Sequence, residues 1–298
     1  MILRTNESNL MEETIMPSCY LTDLDGTLLR SDQSLSDYTI AQLKEALEAG
    51  TIISYATARS YASSNKVTSS IPWRYPVVLY NGAVIFDPEG KRVLGGHWLS
   101  PQLSNDILEA GRQHGLAPLV FALNEDDQEK VLHEKLTRAG DLAFYESRPN
   151  DPRFTEVEYL QIHDSSRSLM LSYIGLYEEL EPLKRTAEQL FDGLVHMEFI
   201  KDAYIKDHYF LELSHPLANK GEGARLWAKL VGAELADVTV FGDNLNDLGM
   251  FRAAGTRIAV ADAHEQIIQL ADRIVATSNE DAVARYIAVE RSRLTICE

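Results

Sequence analysis

Residues 19–27 read Cys-Tyr-Leu-Thr-Asp-Leu-Asp-Gly-Thr, an apolar run that stops at two carboxylates and a glycine. The run Cys19–Leu24 predicts a short strand buried on both faces, as in a parallel sheet. In extended chain, residues i and i+2 face the same way, so Asp23 and Asp25 project two carboxylates into one space. Like charges so close repel, and in isolation one of the two pKa values rises. A divalent cation relieves that repulsion. A carboxylate beside a hard cation can attack phosphorus while its neighbour keeps a proton to give. Gly26 lets the chain turn sharply. An acidic turn with Asp as a cap has the same residues, so the stretch is judged by what surrounds it.

Outward from it, the chain alternates. Ser34–Gly50 has Leu35, Ile40, Leu43 and Leu47 at helical spacing, with Ser36 as N-cap and Gly50 as stop. Thr51–Ala56 reads as a second strand, Arg59–Lys66 as a helix start, and Pro76–Tyr80 as a third strand ending at Asn81-Gly82. Three strands separated by helices predict a doubly wound sheet. The rhythm then changes. Ala83–Phe86 and Arg92–Gly95 flank Asp87-Pro88-Glu89-Gly90 as a hairpin. Pro101–His114, Glu125–Ala139 and Leu176–Phe191 are expected to be helical. Ser168–Ile174, Val195–Ile200 and Tyr209–Leu213 are expected to be strands. After Ser214 the βα rhythm returns with helix Gly221–Val231, strand Val238–Phe241, helix Asp247–Ala254, strand Arg257–Val260, helix Ala263–Leu270, strand Ile274–Ala276 and helix Glu280–Val289. The fold class expected is α/β: a doubly wound, parallel-sheet (Rossmann-like) core from 17–83 and 214–298, interrupted by an inserted α+β domain at 84–213, with a tail at 1–16.

Three more polar clusters fall where a strand ends or a helix begins, the crevice in which open α/β sheets bind ligands. Ala56-Thr57-Ala58-Arg59 offers a hydroxyl and free N–H groups at a helix start, a cradle for phosphate; plain N-capping by Thr57 is the alternative. Asn219-Lys220-Gly221 places a compact positive charge before a helix, suited to a phosphoryl oxygen, although a lone Lys there is ordinarily just solvated. It is not a P-loop. Gly242-Asp243-Asn244-Leu245-Asn246-Asp247 carries the oxygen-rich side chains that Mg²⁺ prefers, or a surface turn with Asx caps. It lacks the spacing of a twelve-residue Ca²⁺ loop.

In this order the four clusters resemble the haloacid dehalogenase superfamily of phosphotransferases, and within it the Cof-type phosphatases, whose cap is inserted after the third strand. Asp23 through Thr27 meets the Asp-x-Asp-Gly-Thr signature. Thr57 meets the Thr motif, Lys220 the Lys motif, and Gly242 through Asp247 meets Gly-Asp-x-x-Asn-Asp. Asn81-Gly82 followed by a hairpin matches the start of that family's cap. Ala58 departs from the usual Gly before Arg and is expected to narrow the phosphate cradle. The resemblance implies a Mg²⁺-dependent phosphatase of small phosphorylated metabolites that works through an aspartyl-phosphate. Asp23 is then the nucleophile and Asp25 the acid and base. The metal is held by Asp23, the Asp25 backbone carbonyl and Asp243, with Asp247 close by. Thr57 and Lys220 bind phosphoryl oxygens and Asn246 orients the set. A phosphomutase shares this nucleophile. A receiver-like signalling domain shares the acidic pocket, the Thr and the Lys, but has no use for Asp25 or for an insertion of this length.

Composition sets the outer limits. The chain has 298 residues and a formal net charge of −17, with 45% hydrophobic and 24% charged residues. Those are globular proportions. A chain this acidic does not hold a polyanion by its general field, which argues against nucleic acid and anionic membrane as partners. No apolar run approaches the ~18–20 residues of a membrane span. Met1–Met16 is polar and acidic, unlike a signal peptide, and reads as a ragged tail upstream of a second usable start at Met16. Cys19 and Cys297 are too few for a disulfide framework and read as free thiols of a cytoplasmic protein. His133, His163, His196, His208 and His215 lack paired metal spacing and read as surface or capping residues. Trp73, Trp98 and Trp227 read as packing, and Arg148 as a solvated turn residue.

Overall fold

The structure is a computed structural model that describes residues 18–202 and 205–296. The expected tail at 1–16 and Cys297 lie outside the described residues. In chain order the first elements are β1 (Cys19–Thr22), α1 (Asp37–Glu48), β2 (Ile52–Tyr55), α2 (Tyr61–Thr68) and β3 (Val77–Leu79). The hairpin β4 (Val84–Asp87) and β5 (Arg92–Gly96) follows, then α3 (Pro101–Gln113), β6 (Leu119–Leu123), β7 (Glu129–His133), α4 (Ala139–Glu146) and β8 (Phe154–Glu156). Next come β9 (Arg167–Leu176), α5 (Tyr177–Leu190), β10 (His196–Lys201) and β11 (His208–Ser214). The chain ends with α6 (Lys220–Leu230), β12 (Val238–Gly242), α7 (Leu248–Ala253), β13 (Thr256–Ala259), α8 (Glu265–Leu270), β14 (Arg273–Ile274) and α9 (Ala282–Ile296).

Among the described residues, β14-β13-β12-β1-β2 form a parallel sheet in that order. A parallel bridge between Ala56 and Val78 ties β3 to β2. The alternation of β1 shows why both faces must be covered. Tyr20 packs with Leu43, Leu47 and Ile287 of α1 and α9. Cys19 and Leu21 pack with Trp227, Met250, Phe251 and Ile267 of α6, α7 and α8. Helices on both faces make the doubly wound core that the apolar runs predict. The Ser36 hydroxyl accepts from Thr39 N at 2.9 Å and starts α1 as expected.

The inserted sheet has the order β10-β11-β9-β6-β7-β8 and is antiparallel except between β7 and β8. One face, with Val120, Leu171, Tyr173, Leu211 and Leu213, is covered by α3 and α5 through Ile107, Leu108, Leu180 and Leu183. On the other face, Phe121, Met170 and Phe210 meet Phe144 of α4.

Two expectations change here. Glu125–Ala139 is not a helix. The Asn124 side chain accepts from Asp126 N and Gln128 N, closing a tight turn in which Asp127 has a φ of 61°. β6 and β7 then pair across it, Phe121 against Val131. The Asx turn wins over helix propensity because it gives the backbone a partner that a helix start there lacks. The hairpin expected to open the insertion pairs with β3 instead, Val78 against Ile85. Its Val84 and Phe86 pack in the cluster that holds Tyr20, and Ile85 packs with Trp227. Among the described residues no helix is long and apolar enough to cross a membrane.

Candidate active site

The carboxyl ends of β1, β2 and β12 bring three of the four clusters together, and the start of α6 supplies the fourth. Asp23 directly follows β1, its N–H donating to Phe241 O at 2.9 Å. Gly26 has a φ of +78°, and a Cβ there would lie 2.5 Å from Asp243 Oδ2. Only glycine therefore lets the turn after β1 rest against the Asp243 carboxylate. At the start of α6, the Asn219 side chain accepts from Glu222 N at 3.0 Å, which fixes the first turn and aims Lys220 inward.

Lys220 Nζ lies 2.6 Å from Asp23 Oδ1 and 2.7 Å from Asp247 Oδ1, and all three side chains are buried. Asp247 Oδ2 accepts from the N–H groups of Asp243 (2.9 Å) and Asn244 (3.1 Å), so both of its oxygens are engaged. Asp243 Oδ1 accepts from the Thr27 hydroxyl at 3.0 Å. Burial pushes Asp23 well above the usual carboxylate range; Lys220 opposes that rise and Asp247 adds to it. Burial and then Asp247 also raise Asp243. Burial alone would lower Lys220, but Asp23 and Asp247 outweigh it and hold the ammonium above its ordinary value.

Asp23, Asp243 and Asp247 each offer a carboxylate oxygen within 4.8 Å of the others, a group that can hold a metal ion. The fit is chemical as well as geometric. The donors are all oxygen, as hard cations require. The side-chain-free Gly26 leaves the cradle beside Asp243 open. Asp247 is the least available donor, because Lys220 and two N–H groups already use it.

The Asp25 side chain stands apart from this group. Its carboxylate takes a two-point contact from Arg59, Nε at 2.7 Å and Nη2 at 2.5 Å, and is half exposed. Arg59 also donates to Gln33 at 3.0 Å. Thr57 is fully buried. Its N–H and C=O bond to Val78 and Asn81, and its Oγ accepts from Arg59 N at 3.1 Å, which leaves the hydroxyl proton to give. Asn246 is exposed and donates to the Asn81 side chain at 3.2 Å.

A cavity of about 630 Å³ opens over these groups, with Lys220, Asn246, Ala58 and Tyr80 on the core side and Met170, Glu198 and Glu212 on the inserted sheet. The sequence reading missed Arg59 as the partner of Asp25, took His196, which is exposed, only as a surface or capping residue, and missed Glu198 and Glu212. A signal for the last three was present. In His196-Met197-Glu198-Phe199, polar and apolar residues alternate, so one face of β10 is polar and turned away from the helices. His133, read as a surface residue, is buried beside Phe154, with Nδ1 2.8 Å from Glu134 O. Trp73 and Trp227 are packing residues, as expected.

Known proteins are similar to this chain in sequence and fold. The family described as haloacid dehalogenase-like hydrolase matches residues 20–287. The pyridoxal phosphate phosphatase YbhA of Escherichia coli is 24% identical over 89% of this chain and 95% of its own. The phosphatase YwpJ of Bacillus subtilis is 28% identical over 89% of this chain and 96% of its own. A crystal structure from Thermotoga maritima superposes with a TM-score of 0.74 at 23% identity, over 92% of this chain and 97% of that one, which shows the fold.

Proposed function

This chain belongs to the haloacid dehalogenase-like hydrolases, and we propose that it is a Mg²⁺-dependent phosphatase that hydrolyses small phosphomonoesters through an aspartyl-phosphate. The observation that carries the reading is the buried Asp23–Lys220–Asp247 group beside Asp243 at the carboxyl ends of parallel strands. Relatives named as phosphatases, one of them of pyridoxal phosphate, support small phosphorylated metabolites as the substrate class.

In this reading Lys220 holds Asp23 Oδ1, so Oδ2 faces the phosphorus. Asp23 attacks, a P–O bond forms, and the bond to the alcohol oxygen breaks. Asp25 gives its proton to that oxygen, then takes one from the water that attacks the aspartyl-phosphate. Free phosphate leaves and Asp23 is restored. In this reading the two-point contact from Arg59 positions the Asp25 carboxyl for the leaving oxygen. Thr57 donates its hydroxyl to a phosphoryl oxygen, Lys220 neutralises another, and Asn246, braced by Asn81, orients the pair. Asp23, Asp243 and the Asp25 backbone carbonyl would hold Mg²⁺, with Asp247 fixing Lys220 and the backbone of the loop. Bound there, Mg²⁺ supplies Lewis-acid stabilisation of the charge on the phosphoryl oxygens. We draw the inserted segment as 97–215 rather than 84–213, because β4 and β5 pair with β3. It closes over the site and excludes water.

Release of inorganic phosphate from para-nitrophenyl phosphate with Mg²⁺, measured for the wild type and Asp23→Asn, tests the reading. Turnover that survives the substitution would refute it, and, with a sugar phosphate in place of the aryl phosphate, isomerised product without free phosphate would identify a phosphomutase.

A further inference from the structure

The inserted sheet presents an ordered set of polar groups to the cavity. In register across three strands, Glu198 of β10 faces Glu212 of β11, and Glu212 faces Ser172 of β9. One step along, His196, Ser214 and Met170 form the next row. His196, Glu198, Glu212 and Ser214 all line the cavity opposite Lys220 and Asn246.

Two carboxylates directly opposite on antiparallel strands repel, so sheets avoid the placement unless something compensates. Glu198 has compensation, because His196 Nε2 lies 3.0 Å from its Oε1. Glu212 has only the Ser172 hydroxyl at 3.2 Å, and no ion pair to it forms among the described residues. It is a largely buried carboxylate without a counter-charge, set in the wall of a cavity. Leaving a carboxylate so placed is costly, and a cation arriving with a ligand removes the cost. Arg252, the other charged group lining the cavity, is exposed on the core side and pairs with neither glutamate in this structure. The cavity is thus polarised. Its floor, with Lys220, suits a phosphoryl group, and its roof suits a positive nitrogen. A volume of about 630 Å³ is ordinary for a small metabolite.

We propose that Glu212, backed by Glu198, selects phosphomonoesters whose alcohol part carries a protonated amine. The proposal rests on the phosphatase reading above and adds the class of leaving group. A neutral polyol would hydrogen-bond to the roof but leave Glu212 uncompensated. A second phosphate or a carboxylate would meet repulsion.

The test is competition against para-nitrophenyl phosphate hydrolysis by the full chain with Mg²⁺. Two matched pairs differ only in amine against hydroxyl: O-phosphoethanolamine with 2-hydroxyethyl phosphate, and glucosamine 6-phosphate with glucose 6-phosphate. Their different lengths allow for the reach to the roof. A charge-assisted hydrogen bond predicts that the amine binds about 10-fold or more tightly in at least one pair. Glu212→Gln should bring that ratio near one, and Glu198→Gln should reduce it. Because each ratio is internal to one protein, a general change in turnover does not mimic the effect. If Glu212→Gln yields no reporter turnover, the wild-type and Glu198→Gln ratios decide. Ratios near one for both pairs in the wild type, or an amine preference untouched by the substitutions, would overturn the proposal while leaving the phosphatase reading intact. Absence of any hydrolysis that Asp23→Asn abolishes would overturn both.

Discussion

Glu212 also makes a prediction about stability that needs no substrate. Burial is the main cause that lifts its pKa from 4.5 to about 7, Glu198 adds to the rise, and the Ser172 hydroxyl opposes it. A carboxyl whose folded pKa is raised stabilises the fold fully below its unfolded pKa. That contribution is lost as pH climbs through the folded value. The window is therefore pH 4.5 to about 7. At about 1.4 kcal/mol per pH unit, ionising Glu212 costs the folded protein up to about 3 kcal/mol. The side chain keeps some contact with solvent, so about 1–2 kcal/mol is the working expectation. Glutamine has nearly the same shape and does not titrate. The Glu212→Gln protein should thus gain on the wild type as pH rises from 5 to 8, and gain little beyond pH 8. Thermal melts of both proteins across that range check it, with about 2–4 °C expected per kcal/mol or somewhat less for a chain of this size. Parallel curves with no pH-dependent difference would mean that Glu212 ionises freely, and the argument from its missing counter-charge would fail with it.

The remaining predictions concern the reaction. Asp23→Asn should abolish labelling of the protein by radioactive aryl phosphate. Asp25→Asn should accumulate label, because water attack still needs the base, with steady turnover down ~10²–10⁴-fold; label on Asp25 would reverse the roles. Arg59→Ala should lower turnover by less than Asp25→Asn, and more for alkyl than for activated aryl phosphates, since only the former depend on a well-placed acid. Chelation should remove activity and Mg²⁺ restore it, and Asp243→Asn should require about ten-fold or more Mg²⁺ for half-activity, a ligand loss of ~1.4 kcal/mol or more; an unchanged titration would exclude Asp243 as a ligand.

What the sequence made legible is what depends on local order. The strands of the core are apolar runs ended by polar clusters, so β1, β2 and β12 and the groups at their tips could be read without a partner strand in view. The hydroxyl of Ser36 marks its helix for the same reason. What stayed hidden depends on pairing between distant segments. Arg59 is one polar residue near a helix start until the fold brings it to Asp25, 34 positions away. Glu198 and Glu212 belong to different strands, and only their register makes them opposite. The segment after Asn124 carries enough acidic and basic residues to pass for a helix, yet a turn held by one side chain decides it. Hairpin β4–β5 is local and legible, but its allegiance to β3 is not.

The charge of the chain and the charge of its substrate can be reconciled at the site itself. A formal charge of −17 repels an anionic ligand at long range. Within the pocket, three carboxylates meet one ammonium, which leaves a formal charge of minus two. That value matches one divalent cation. Once such an ion is held, the site is neutral overall, and in the proposed reading Lys220 and the Thr57 hydroxyl are the groups left to meet the phosphoryl oxygens. Without the ion, the phosphoryl group meets net repulsion at short range, where solvent screens least. Metal dependence therefore follows for binding as well as for chemistry: inorganic phosphate should compete with para-nitrophenyl phosphate in Mg²⁺ and should not bind the full chain in chelator. Tight phosphate binding in chelator, measured by calorimetry, would show that Lys220 alone makes the site attractive and would sink this charge argument.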